Sequence, residues 1–70
     1  MNWVWIRTTL YWALEDEQYR YGVIVPDEFG RTVVRAAVMS NYNWEPVPLP
    51  PGCDVEEAKR LVLATAALEA

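Results

Sequence analysis

The run Trp3-Val4-Trp5-Ile6-Arg7-Thr8-Thr9-Leu10-Tyr11-Trp12-Ala13-Leu14 alternates along its whole length, and the architecture follows from how that alternation is read. Val4, Ile6, Leu10, Trp12 and Leu14 share one parity, with Thr8 their only polar member, and Trp3, Trp5, Arg7, Thr9 and Tyr11 share the other. A two-residue period rich in β-branched and aromatic side chains predicts a half-buried strand over residues 3–14, with Val4, Ile6, Leu10, Trp12 and Leu14 facing inward. Glu15-Asp16-Glu17 interrupts the pattern with three charges and suits a tight connection.

A second strand is expected over residues 18–25, with Tyr19, Tyr21, Val23 and Val25 inward and Arg20, Gly22 and Ile24 outward. Pro26-Asp27-Glu28-Phe29-Gly30 is turn chemistry, because proline sets φ and glycine admits positive φ. A third strand over 31–39 then places Val34, Ala36 and Val38 inward and Val33, Arg35, Ala37 and Met39 outward. Two short connections make an antiparallel meander the expected topology. Residues 40–53 hold Pro46, Pro48, Pro50 and Pro51, which exclude helix and disfavour an inner strand, so the segment reads as an extended crossover. Tyr42 and Trp44 are expected to anchor it to the core edge.

The last element is helical, over residues 54–69. Asp54 as N-cap with Glu57 three residues on makes an acidic capping box, and Glu56 and Glu57 complement the helix dipole. Val55, Ala58, Leu61, Val62, Thr65 and Leu68 form a stripe at helical spacing, and Glu56 and Arg60 form an outward i,i+4 pair. The expected fold is one α+β domain over residues 1–70, a three-stranded antiparallel meander in β-β-β-α order with the helix on one sheet face.

Composition narrows function more than it specifies it. The 70 residues hold 6 Lys and Arg against 10 Asp and Glu, a net charge of −4, with no histidine and a single cysteine, Cys53. Nucleophile–histidine pairs, Cys/His zinc sites and an internal disulfide are therefore all excluded. Cys53 lies beside Asp54 and Glu56, which disfavour its thiolate. There is no glycine-rich phosphate cradle and no calcium-loop spacing. The expectation is a non-enzymatic protein with no cofactor and no metal. The start of the chain lacks signal-peptide features and no apolar run reaches the ~18–20 residues of a membrane span, so no membrane partner and a cytoplasmic location are expected. Four Trp, four Tyr and one Phe supply the apolar area that so short a chain needs, and self-association is a second way to bury it.

Two groups of residues are candidate binding surfaces. In an up-down-up meander, with the crossover remaining local, Glu15, Asp16, Glu17, Asp54, Glu56 and Glu57 would gather on one edge with Glu45 nearby. Such an edge would steer a basic partner and repel phosphates, so no direct nucleic-acid binding is expected there. The other group is aromatic. Trp3, Trp5 and Tyr11 on the outer sheet face, or Tyr42 and Trp44, would act as desolvated anchors. Charged turns and an acidic helix start also serve solubility and the dipole, and Trp3 and Trp5 could instead close a small second core over Phe29. Two further readings carry less: single-strand stacking on a sheet face bearing Arg7 and Arg35, and a Pro-x-x-Pro ligand at Pro48–Pro51.

The short strands, the Trp-rich start and the run Asp54-Val55-Glu56-Glu57-Ala58-Lys59-Arg60-Leu61-Val62 resemble small phage-encoded accessory proteins, and in size and acidity the chain is similar to anti-CRISPR inhibitors. The resemblance implies a protein that binds a host interference complex, sometimes by mimicking nucleic-acid charge, and it assigns no role to any single residue. The resulting expectation is an inhibitor that blocks a basic surface of a host protein or nucleoprotein complex. The alternative is a structural homo-oligomer, such as a homodimer, pairing through the aromatic sheet face or an edge strand.

Overall fold

The computed structural model describes residues 2–69 and shows an α+β fold with five strands rather than three. β1 (Val4–Arg7), β2 (Trp12–Glu15), β3 (Arg20–Pro26), β4 (Val33–Ser40) and β5 (Asn43–Pro46) pair antiparallel in sequence order. α1 (Val55–Glu69) packs across β3 and β4.

The segment expected to be one strand is a hairpin. Thr8 donates its N–H to the Tyr11 carbonyl (2.8 Å), and the Thr8 hydroxyl donates to the same carbonyl (2.9 Å) while accepting from the Tyr11 N–H (3.1 Å). Alternation continues through this turn, so periodicity alone does not reveal the reversal. The fold-back pairs Trp5 with Leu14 and Arg7 with Trp12, which sets odd residues of β1 opposite even residues of β2. The inward parity is therefore that of Trp5 in β1 and of Trp3 just before it, not that of Val4 and Ile6. Both tryptophans pack against the helix-side core with Trp12.

From Gly22 on, the expected faces of β3 are also reversed, whereas Tyr21 packs against the core as expected. Leu14, Gly22 and Val38 form one buried row, and Trp12, Ile24 and Ala36 the next, so Gly22 and Ile24 face the helix while Val23 and Val25 face away. Tyr19 lies in the exposed turn before β3. The register slips between Leu14 and Glu15, and the extra residue is Tyr21. A bulge re-aims its side chain, and the Tyr21 ring stacks on Trp3 at 4.4 Å between centroids. Over residues 35–39 of β4 the expected faces match the structure. A second slip between Val25 and Pro26 throws Val34, expected inward, into solvent and leaves Val33 packed against the core.

The extended crossover contains β5. A two-residue turn, Asn41 (φ 49°) and Tyr42 (φ 67°), sends the chain back along β4. Pro46 is tolerated because β5 is an edge strand. Leu49 then packs on the core, consistent with a structural role for the proline-rich segment.

The helix starts as its sequence signals require. Asp54 accepts a hydrogen bond from the Glu57 N–H at its side chain (2.8 Å), and its carbonyl accepts the Ala58 N–H. Ala58, Val62 and Ala66 are the buried helical positions. Leu68, expected in the stripe, is 86% exposed, because it lies roughly 120° around the helix from Val62, at the centre of the buried Ala58–Val62–Ala66 face. Glu56 pairs with Lys59 (3.7 Å) rather than with Arg60.

Candidate functional site

Strand directions define two poles. The β2–β3 and β4–β5 turns lie at one, where Ser40 donates to the Glu69 carboxylate (2.8 Å) and so places the end of α1 there. The β1–β2 and β3–β4 loops lie at the other, with the start of α1, as the Val33 N–H to Cys53 carbonyl bond (2.9 Å) shows.

This arrangement separates the acidic residues expected on one edge. Glu15, Asp16 and Glu17 sit at the first pole, Asp54, Glu56 and Glu57 at the second, and Glu45 lies between them on β5, opposite Val38. The cause is β5: four residues of strand return the chain across the sheet before the helix begins.

Several of these carboxylates are also engaged. Glu15 pairs with Arg20 (2.7 Å), which also donates to the Tyr11 hydroxyl (2.9 Å). Asp16 accepts from the N–H groups of Gln18 (2.7 Å) and Tyr19 (2.8 Å) and from the Tyr21 hydroxyl (2.7 Å). The Tyr21 bond first, then the two N–H groups, holds the Asp16 carboxyl below its ordinary pKa of 3.8. The same bond holds the Tyr21 phenol above its ordinary range.

A folded-state pKa below the unfolded value gives stability that is fully present above the unfolded value and lost as pH falls through the folded one. Asp16→Asn is therefore expected to melt below the wild type at neutral pH, with the gap closing as pH is lowered through 3.8 and beyond. Thermal melts of both chains between about pH 2 and 7 check this; a constant gap would place the loss elsewhere than in the carboxylate.

The aromatic candidates divide differently from expectation. Trp3 and Trp5 lie beneath the helix side, where the Lys59 ammonium sits 3.6 Å from the Trp12 ring centroid and 5.8 Å from that of Trp5. Tyr11 lies over the open face, its ring 5.3 Å from the Arg20 guanidinium. Tyr42 and Trp44 do not anchor the crossover. Tyr42 is 99% exposed at the hairpin tip, and Trp44, 44% exposed, stands opposite Met39 on the open face.

That open face is the surface composition alone did not reveal. Away from the helix it presents Val4 and Ile6 from β1, Ala13 from β2, Val23 and Val25 from β3, Ala37 and Met39 from β4, and Trp44 and Pro46 from β5. Ala13 is fully buried there although it is outside the helix-side core. Tyr11, Glu15 and Arg20 share its face and cover it. Arg35 is the remaining charge on the face, and among the described residues it forms no ion pair and no aromatic stack. The signal that could have revealed this surface is the odd spacing between Arg7 and Trp12 across a turn closed by Thr8, which sets Val4 and Ile6 outward.

Chemical machinery is sparse. Cys53 is buried, and burial first, then Glu57 and Asp54, raises its thiol pKa. An open cleft of about 570 Å³ at the first pole is lined by Tyr19, Tyr21, Met39, Tyr42 and Glu69, among others. Among the described residues no three His, Cys, Asp or Glu side chains converge as a metal set, and no helix is long and apolar enough to cross a membrane.

No protein-family model matches the chain, and neither the curated proteins nor the solved structures include a significant match to it.

Proposed function

We propose that the chain is a small non-enzymatic protein-binding module whose contact surface is the open sheet face, centred on Val23, Ala37 and Met39 and flanked by Ile6 and Trp44. One observation supports this reading above the others: on an otherwise acidic molecule, the sheet face away from the helix is apolar, half-buried at Val23, Ala37 and Met39 and exposed at Ile6 and Trp44, and carries a guanidinium, Arg35, with no ion pair among the described residues. Contiguous exposed apolar surface marks contact sites, and Trp and Arg are the side chains that concentrate binding energy.

Tyr42, at the β4–β5 tip, lines the cleft at the first pole with Met39, Ala66 and Glu69. Positive φ at both residues of a two-residue turn favours Asn-Gly, and a tyrosine there is strained. A strained, fully exposed aromatic at a hairpin tip fits a contact residue better than a structural one.

The reading keeps the protein partner expected of an inhibitor and gives up the acidic rim. Blocking a basic surface by charge mimicry needs one concentrated negative edge, and here the carboxylates divide between two poles.

The test is affinity capture from extracts of the source organism with three baits, read by mass spectrometry: wild type, Val23→Lys with Trp44→Lys, and Glu15→Lys with Glu17→Lys. Proteins held by the wild type should be retained by the acidic-turn variant and lost with the face variant, by about tenfold or more. The opposite pattern would return the function to the acidic turn.

A further inference from the structure

The sheet has two edges, and only one is protected. β5 carries Glu45 and ends on Pro46, both of which discourage strand addition. β1 reads Val-Trp-Ile-Arg, with no proline and no charge before Arg7.

The hydrogen-bond phase of β1 follows from its turn. Thr8 and Tyr11 are directly opposite and bonded. Bonded and unbonded pairs alternate along an antiparallel ladder, so Ile6–Ala13 and Val4–Glu15 are bonded pairs and Trp5–Leu14 and Arg7–Trp12 are not. The Asp16 N–H to Tyr19 carbonyl bond requires the same phase, because it makes Glu15–Arg20 an unbonded pair and leaves Glu15 to bond Val4. The main-chain groups of Trp5 and Arg7 therefore point outward from the sheet edge.

We infer that two copies of this chain pair antiparallel through β1, with Trp5 opposite the partner's Trp5. A twofold axis normal to the sheet keeps each face on its own side, so only residues of like parity can stand opposite one another. Centring on Trp5 makes bonded pairs of Trp5 with its counterpart and of Trp3 with the partner's Arg7, twice, for about six main-chain hydrogen bonds. Centring on Val4 or Ile6 keeps two bonded pairs among residues 3–7 instead of three.

Two observations favour a second copy as the occupant. Val4 and Ile6 are 55% and 42% exposed, and in this register each covers the other across the axis. Charge is complementary as well. The partner's Arg7 arrives beside Trp3 at the pole where Asn2, Val4, Asp16 and Glu17 line one shallow pocket, so a cation meets the acidic turn on both sides of the axis. The pairing would join two five-stranded sheets into one and make the two open faces continuous. It does not depend on what those faces bind, so it and the function proposed above can fail separately.

Mild oxidation of mixed Val4→Cys and Ile6→Cys chains tests the register, since these positions oppose each other as a close, unbonded pair. The mixed disulfide should form about tenfold more readily than either variant's own; equal or greater self-linkage of Val4→Cys would overturn it. Sedimentation of the wild type should show a dimer that dissociates on dilution, with the Trp5 and Arg7 amides exchanging faster as it does. An 8.1 kDa species at every concentration up to about 1 mM would overturn the pairing, and so would concentration-independent exchange at those two amides.

Discussion

Gly22→Ala is expected to destabilise the protein by about 2–3 kcal/mol, although it adds a single methyl group. Gly22 lies on the buried row between Leu14 and Val38, directly under the helix. A Cβ built there would overlap Val62 Cγ1, with Leu14 Cβ 3.7 Å away. Val62 is fully buried and β-branched, and in a helix it has essentially one rotamer, so it cannot swing aside. Helix and sheet would have to move apart at this point. In a domain of this size that cost is a large part of the total stability. Urea unfolding of Gly22→Ala, Val62→Ala and the double variant checks the cause. The overlap account expects the double variant to be no less stable than Val62→Ala alone within about 0.5 kcal/mol, and additive losses would refute it.

Leu14→Ala should cost about 2–5 kcal/mol, in the range of a large buried side chain truncated where the surroundings cannot collapse. Leu14 is 1% exposed and is among the largest fully buried side chains. It stands opposite Trp5 on one side and Gly22 on the other. Neither neighbour can fill the space: Gly22 has no side chain, and Trp5 is held by its packing against the helix-side core. Chemical denaturation measures the loss, and a red shift of tryptophan emission should accompany it as water reaches Trp5. A loss below about 1 kcal/mol would mean that the core does not depend on this row.

Much of the architecture was legible from local chemistry. The helix was readable because Asp54, Glu57 and the Ala58–Val62 spacing act through neighbouring residues of one element. The outer half of β4 was readable because Arg35, Ala37 and Met39 alternate cleanly with Ala36 and Val38. The β1–β2 reversal was not readable, because Thr8 to Tyr11 continue the alternation while the chain turns, and only the Thr8 bonds to Tyr11 show the break. β5 was hidden for a related reason: Asn41-Tyr42 lacks the glycine that usually marks a two-residue turn, and Pro46 argues against a strand unless the strand is at an edge. The acidic candidates depended on the second of these, because β5 carries the chain back to the other pole before the helix begins.

Residue types and their local order were enough to establish the α+β class, the C-terminal helix with its cap, and the lack of histidine- or disulfide-based chemistry, because each depends on contacts close in sequence or on composition alone. Which face of each strand meets the helix, where the carboxylates lie, and which apolar surface stays open depended on strand pairing. Pairing register is a long-range property: one turn residue more or less moves every later side chain to the other side of the sheet.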